Sequence, residues 1–140
     1  MCIKTMNILI IDAQGGGIGK QVILAVKQNI PDAVITAVGT NTTATSMMLK
    51  AGADYGATGE NAVIVGTRKA DVIIGPIGII VADSMFGEIT PAMATAVGQS
   101  DAKRILIPVS HCDNIVVGVR NLGIKEMIEE VLAELHKLAG

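Results

Sequence analysis

A run of glycines between two apolar segments is the feature of this sequence that most clearly points to chemistry. The segment ILIIDAQGGGIGK, from Ile8 to Lys20, has the pattern of a strand, a glycine-rich turn and a helix. Glycines let the backbone approach an anion closely, and the first N–H groups of the helix favour negative charge. The predicted ligand-binding residues of this segment are Asp12, Gln14, Gly15, Gly16, Gly17, Ile18, Gly19 and Lys20.

The same turn also has a purely structural interpretation, as a tight connection without a ligand. We favour ligand binding because several adjacent glycines exceed what a turn requires. Two roles stay open for Asp12, which either hydrogen-bonds a ribose or caps the following helix. Lys20, in the first helical turn, would add a direct charge contact to the phosphate.

Polar residues follow the second predicted strand. Thr40, Asn41 and Thr42 would either contact an adenosine ribose or begin the next helix. The two interpretations carry equal weight.

Ser110, His111 and Cys112 follow the fifth predicted strand. Histidine and cysteine bind metals or pair as nucleophile and base, but adjacent strand residues point in opposite directions and would not readily converge. We therefore predict no metal site, and we assign Ser110 to the ligand site. Proton transfer by Ser110 or His111, or by Asp83 or Glu88, stays open as the basis of an enzyme.

The long loop after the fourth predicted strand is the second glycine-rich segment, from Gly75 to Gly87. Much of it is apolar, which indicates a lid or a subunit contact rather than a solvated turn. The ligand-binding residues predicted at its start are Gly75, Pro76, Ile77 and Gly78.

The spacing of apolar residues predicts the elements that position these groups. Short β-branched runs alternate with longer helical patterns, which is typical of repeated βαβ units. Helices are predicted near Gly17, Thr42, Glu60 and Thr90, with a last one from Ile124 to Leu138. The predicted strands are Met6 to Asp12, Ala33 to Gly39, Asp54 to Thr58, Asp71 to Gly75, Arg104 to Val109 and Ile115 to Val119.

These elements predict an α/β fold: a single doubly wound, Rossmann-like parallel sheet of about six strands flanked by helices, in one domain over residues 1–140. The first strand would be central, with the strand order reversing between the first and fourth strands. Ligands of such sheets bind at that reversal, outside the carboxyl ends of the strands. Both glycine-rich loops would therefore line one site.

Composition limits the partners. Half of the 140 residues are hydrophobic and 17% are charged, so we expect part of the surface to be buried in a homo-oligomer, a dimer or a tetramer. The net charge of -2 and the scarcity of aromatic residues disfavour nucleic acid. We expect no membrane span. The two cysteines form no CxxC motif, which favours reduced thiols and a cytoplasmic location.

The GIG of Gly17 to Gly19 resembles the glycine motif of short-chain dehydrogenases, with Ala13 in place of that family's first glycine. The resemblance implies a dinucleotide, so NAD(P) is one candidate cofactor besides other nucleotides. That family's Tyr-x-x-x-Lys pair has no counterpart, because Gly59 lies four places after Tyr55. The acidic residue that would hold the ribose of NAD at the end of the second strand is also missing, since residues 40–41 are Thr-Asn.

The same glycines also look like the GGxGK of ParA-type ATPases, formed by Gly16, Gly17, Gly19 and Lys20. That resemblance implies that Lys20 reaches the β and γ phosphates. The next position would be Ser or Thr to bind magnesium, but it is Gln21. We rank this ATPase interpretation below the Rossmann one.

Over nearly its whole length the chain is similar to a family of small bacterial Rossmann-like proteins of unknown function. The similarity rests on IDAQGGGIGK (11–20), GATGENA (56–62), GPIGII (75–80) and GEITPAMA (87–94). It implies the fold and assigns no activity. With the residues above, the sequence predicts a protein that binds a nucleotide, a dinucleotide or another phosphorylated metabolite. The alternative is an oligomeric scaffold or sensing subunit without a ligand.

Overall fold

Strands and helices alternate along the chain in the computed structural model, which describes residues 5–109 and 113–140. A short 3-10 helix, Ile77–Ile80, follows the fourth strand. The strands are β1 (Asn7–Asp12), β2 (Val34–Gly39), β3 (Tyr55–Thr58), β4 (Val72–Pro76) and β5 (Lys103–Ile107). The α-helices are α1 (Gly17–Asn29), α2 (Thr42–Lys50), α3 (Glu60–Lys69), α4 (Pro91–Gln99) and α5 (Ile124–Ala139).

Every strand pair in the sheet is parallel, and the order across it is β3-β2-β1-β4-β5. The predicted α/β fold class is confirmed, as are the central β1 and the reversal of strand order between β1 and β4. The chain leaves β1 on one side toward β2 and β3, and it returns on the other side through β4 and β5. The carboxyl ends of β1 and β4 therefore border a crevice, the usual ligand position in such sheets.

Over the described residues the sheet has five strands, close to the predicted number of about six. The run from Ile115 to Val119 forms no strand, which corrects the last strand prediction. Ile115 and Val117 are 92% and 93% exposed, so these β-branched residues have no second layer to pack against. Gly118 turns the backbone there with a φ of 87°.

Alternate residues of β1 build the two halves of the core. Ile8 and Ile10 pack on the side of α1, α2 and α5, whereas Leu9 and Ile11 pack on the side of α3 and α4. Successive strand residues point to opposite faces, so a strand that is apolar at every position must be covered on both. This is why the helices divide between the two faces of the sheet.

The loop that follows the 3-10 helix is compact. The Ser84 hydroxyl donates to the carbonyl oxygen of Gly78 at 2.6 Å. Asp83, Met85 and Phe86 have φ values of 64°, 55° and 58°, in the left-handed region that side chains disfavour. The chain therefore reverses within a few residues and returns to the carboxyl edge of the sheet.

The last helix, α5, packs on the core through one apolar stripe. Ile128, Val131 and Leu135 are buried at helical spacing, which confirms the predicted helix. Within residues 5–109 and 113–140, no helix combines the length and the apolar character needed to cross a membrane.

Candidate functional site

Asp12 ends β1 beneath the glycine turn, and its side chain is buried. One carboxylate oxygen accepts a hydrogen bond from the N–H of Ala13 at 2.8 Å, and the other accepts one from the N–H of Gly19 at 2.7 Å. Gly19 lies in the first turn of α1, so Asp12 satisfies a helix N–H group, the second of its two predicted roles.

Two opposing influences act on the pKa of Asp12. Burial raises it above the ordinary value of 3.8, and the nearby negative charge of Glu88 adds to the rise. The hydrogen bonds from Gly19 and Ala13 lower the pKa, but burial outweighs them. The hydrogen bonds from Gly19 and Ala13 show that the side chain of Asp12 already faces the start of α1.

Packing favours glycine at two positions, Gly16 in the turn and Gly19 in the first turn of α1. Gly16 has a φ of 74°, and a Cβ built on it would lie 2.9 Å from the Cα of Ala44. A Cβ on Gly19 would lie 2.5 Å from the sulfur of Met48. Both glycines thus let α1 and its preceding turn approach α2 closely, whether or not a ligand binds.

Gly15 and Gly17 differ from these two, because no atom beyond the adjacent residues and the backbone of α1 lies within 4 Å of a Cβ built on either one. Neither has a positive φ. Among the described residues, no hydrogen bond reaches the N–H group of either glycine. Neither turn geometry nor packing therefore explains why these two positions lack side chains.

A cleft of about 230 Å³ borders both glycines. Its other walls include Gln21 from α1, Pro76 from the end of β4 and Met85 from the compact loop. The cleft thus lies where the reversal of strand order places a ligand site. Lys20 is exposed and does not line the cleft, so its contact with a phosphate stays a prediction.

The sequence does not predict the contacts of Glu88, which lies in the loop after β4. One of its carboxylate oxygens accepts three hydrogen bonds: from the Gln14 N–H at 2.9 Å, from the Thr40 hydroxyl at 2.6 Å and from the Asn41 amide at 3.0 Å. Gln14 follows β1, and Thr40 and Asn41 follow β2. Glu88 therefore links the segment between β4 and α4 to the loops after β1 and β2.

The pKa of Glu88 lies below its ordinary value. Burial acts to raise this pKa, but the hydrogen bonds from Thr40, Gln14 and Asn41 together outweigh it. Glu88 is therefore a carboxylate held in its charged form. In the sequence it was an unplaced polar group in a loop, and no local pattern indicates its partners.

The residues after β2 serve both the helix and the turn. The Asn41 side chain accepts from the N–H of Ala44 at 2.9 Å and so caps α2. Its amide nitrogen also donates to the carbonyl oxygen of Gln14 at 3.0 Å. Thr42 begins α2 and is exposed, and among the described residues it makes no hydrogen bond with the turn.

Of the predicted ligand-binding residues from Gly75 to Gly78, only Pro76 lines the cleft. Gly75 is a packing glycine, because a Cβ there would lie 2.6 Å from the carbonyl oxygen of Ile11. Gly78 is buried and accepts the hydrogen bond from Ser84, and Ile77 is half-buried in the 3-10 helix.

Of the predicted proton-transfer residues, Glu88 lies at the glycine turn. Asp83 is exposed, and its backbone groups bond within the compact loop. The predictions for Ser110, His111 and Cys112 lie outside the described residues. The part of the chain that the structure describes holds no group of three or more His, Cys, Asp or Glu side chains able to bind a metal.

Residues 7–140 match the model of a family described as a domain of unknown function (DUF3842). The chain belongs to this family. The expected membership in a family of Rossmann-like proteins of unknown function is thereby confirmed. No curated protein matches the chain.

A solved structure with a similar fold is that of a dodecameric FMN-dependent UbiX-like decarboxylase from Escherichia coli O157:H7. The two chains share 16% identity, with a TM-score of 0.48. The match covers 94% of this chain and 76% of the decarboxylase chain.

Proposed function

We propose that this protein binds a phosphorylated, nucleotide-type ligand in the cleft beside the glycine turn. The observation that carries the proposal is the pair Gly15 and Gly17. Both lie at the cleft, neither needs to be glycine for the fold, and both N–H groups lack partners among the described residues. Such N–H groups at the start of a helix bind phosphate oxygens.

At this site a phosphate would be bound more by hydrogen bonds than by positive charge. The carboxylate of Asp12 already takes the N–H of Gly19 and offsets part of the positive end of α1. A phosphate would therefore rely on the N–H groups of Gly15 and Gly17. Lys20, exposed in the first turn of α1, can add a charge at the rim if its side chain swings toward the ligand.

The predicted site residues divide into three groups under this proposal. Gln14, Ile18 and Pro76 join the open glycines in lining the cleft. Thr40 and Asn41 contribute through Glu88, whereas Gly16, Gly19 and Gly75 shape the backbone. NAD(P) stays one candidate among nucleotides, and the proposal is a binding function without an assigned reaction.

Thermal-shift measurements with NAD, NADP, ATP, GTP, CoA and flavins test the proposal, because a ligand that binds the folded state raises its Tm. The critical variant is Gly17→Val, which puts a branched side chain into the cleft. Gly98→Val is the matched control, since Gly98 also has open space around a built Cβ but lies in α4, outside the cleft.

We expect one ligand to stabilise the wild type and Gly98→Val but not Gly17→Val. The proposal fails if no ligand raises the Tm of the wild type. It fails equally if Gly17→Val responds to the ligand as the wild type does, because the ligand then binds elsewhere.

A second candidate function is an oligomeric scaffold, favoured by Phe86. This side chain is 100% exposed and lies in the compact loop with a left-handed backbone. An aromatic side chain held outside the core is typical of a protein–protein contact. The scaffold and ligand-binding functions are compatible, because Phe86 does not line the cleft.

A further inference from the structure

The carboxylate of Glu88 lies beside the end of β2, a position at which the sequence has no acidic residue of its own. In dinucleotide-binding sheets, a carboxylate at the end of the second strand holds a ribose hydroxyl. Here Thr40 and Asn41 occupy that position. Glu88 comes from a segment 48 residues further along the chain, yet its carboxylate lies 2.6 Å from the Thr40 hydroxyl.

The contacts of Glu88 orient its carboxylate. All three hydrogen bonds, from Gln14, Thr40 and Asn41, end on the same oxygen, Oε1. The other oxygen, Oε2, accepts no hydrogen bond from any described residue. A charged carboxylate oxygen has room for two hydroxyl donors, and this one belongs to a half-buried side chain that is already fixed in place.

The position of Glu88 relative to the glycine turn also suits a ribose phosphate. Its Oε1 accepts from the N–H of Gln14, the residue directly before Gly15. Glu88 is not itself a lining residue of the cleft, but it is hydrogen-bonded to Gln14, which is. A ligand with its phosphate on the open glycines would reach Glu88 by extending its sugar over Gln14. We infer that Oε2 of Glu88 binds the vicinal hydroxyls of a phosphorylated ribose, as nucleotides carry.

This inference rests on the proposed function, because it assumes a phosphate on Gly15 and Gly17. It adds the class of ligand. A site built to bind a hydroxyl discriminates against the analogue that lacks it, since the polar group is then left unpaired. A ribose with a 2′-phosphate would be disfavoured as well, because its charge repels the carboxylate of Glu88.

Titrations with small sugar phosphates test whether Glu88 binds a ribose, without assuming which nucleobase the ligand carries. The probes are ribose 5-phosphate, 2-deoxyribose 5-phosphate and inorganic phosphate. Binding of each is measured by NMR from the shifts of the backbone amide resonances of Gly15 and Gly17. For the wild type we expect ribose 5-phosphate to bind roughly 10-fold or more tightly than its 2-deoxy analogue, from the loss of a hydrogen bond to a charged group. ADP should show the same preference over 2′-deoxy-ADP, and tighter binding of ADP than of ribose 5-phosphate identifies a nucleotide as the source of the ribose.

The critical variant is Glu88→Gln, whose amide oxygen can still accept from Thr40 and Asn41 and hold the loop. We expect its preference for ribose over 2-deoxyribose to fall toward one, with the response to inorganic phosphate retained. Glu129→Gln on the exposed side of α5 is the control and should behave as the wild type.

The two proposals fail in distinguishable ways. If both sugar phosphates shift the glycine amides with equal affinity, Glu88 only fastens the loop and the ribose inference is overturned, while phosphate binding stands. If no probe shifts the amides of Gly15 and Gly17, the proposed function is overturned and the ribose inference with it.

Discussion

Gly16 lies so close to Ala44 that a Cβ built on Gly16 would come within 2.9 Å of both the Cα and the carbonyl oxygen of Ala44. Backbone atoms cannot move aside as a flexible side chain can. The turn after β1 is thus pressed against the first turn of α2, and the adjacent glycines of the turn have different reasons to be glycine.

Alanine substitutions separate these reasons. Gly16→Ala should lower the free energy of unfolding by about 2–5 kcal/mol, because it combines a left-handed backbone with overpacking against α2. Gly17→Ala should stay within about 0.5 kcal/mol of the wild type or stabilise slightly, since its helical backbone suits alanine. Urea denaturation measures both. Equal effects of the two substitutions would contradict the distinction.

The Thr45 hydroxyl joins β2, α2 and β3. It accepts from the N–H of Gly39 at 3.2 Å and lies 2.7 Å from the hydroxyl of Thr58. Thr45→Val keeps the shape but removes the hydroxyl and its hydrogen bonds with Gly39 and Thr58, so we expect a loss of about 1–3 kcal/mol in the free energy of unfolding. Thr43→Val, exposed on the same helix, should change it by less than about 0.5 kcal/mol. A tolerated Thr45→Val would show that water replaces the hydroxyl.

Asp54 gives the stability a dependence on pH. The N–H of Ile35 is the main cause of its lowered pKa, followed by the hydrogen bond from Lys27. A carboxyl whose pKa is lower in the folded state stabilises the protein above its unfolded pKa, and this contribution disappears as the pH falls through the folded pKa. The ordinary value of 3.8 marks the upper end of that range.

We therefore expect Asp54→Asn to destabilise the protein at pH 7 and to differ progressively less from the wild type as the pH falls below about 4. Thermal denaturation over a series of pH values measures the difference. The exposed Asp32 offers the control substitution Asp32→Asn. A difference between Asp54→Asn and wild type that stays constant with pH would exclude the electrostatic explanation.

Phe86 provides the test of the expected homo-oligomer. If its exposed ring lies in a subunit contact, Phe86→Ser should lower the mass measured by size-exclusion chromatography with light scattering. The free energy of unfolding of the isolated subunit should hardly change, because the ring is 100% exposed. If the Phe86→Ser variant dissociates but keeps its affinity for the ligand, the compact loop lies in a subunit interface and not in the ligand site. A monomeric wild type would remove the scaffold function.

The sequence by itself determined the order of elements, most of their boundaries and the central position of β1. These follow from local patterns: runs such as Ile8 to Ile11 are apolar at every position, and α5 repeats its apolar residues at spacings of three and four. The run from Ile115 to Val119 has the same β-branched composition. It forms no strand because a strand also requires a partner and a packed face, which local composition does not encode.

Only the tertiary structure decided which residues meet at the carboxyl edge. It packs Gly16 and Gly19 against α2 and leaves Gly15 and Gly17 open, although all four lie in one short run. It also places Glu88 on Thr40 across 48 residues of chain. The physical reason is that this contact depends on the reversal of the loop after β4 and on the register of β1 beside β2, both of which arise from long-range packing.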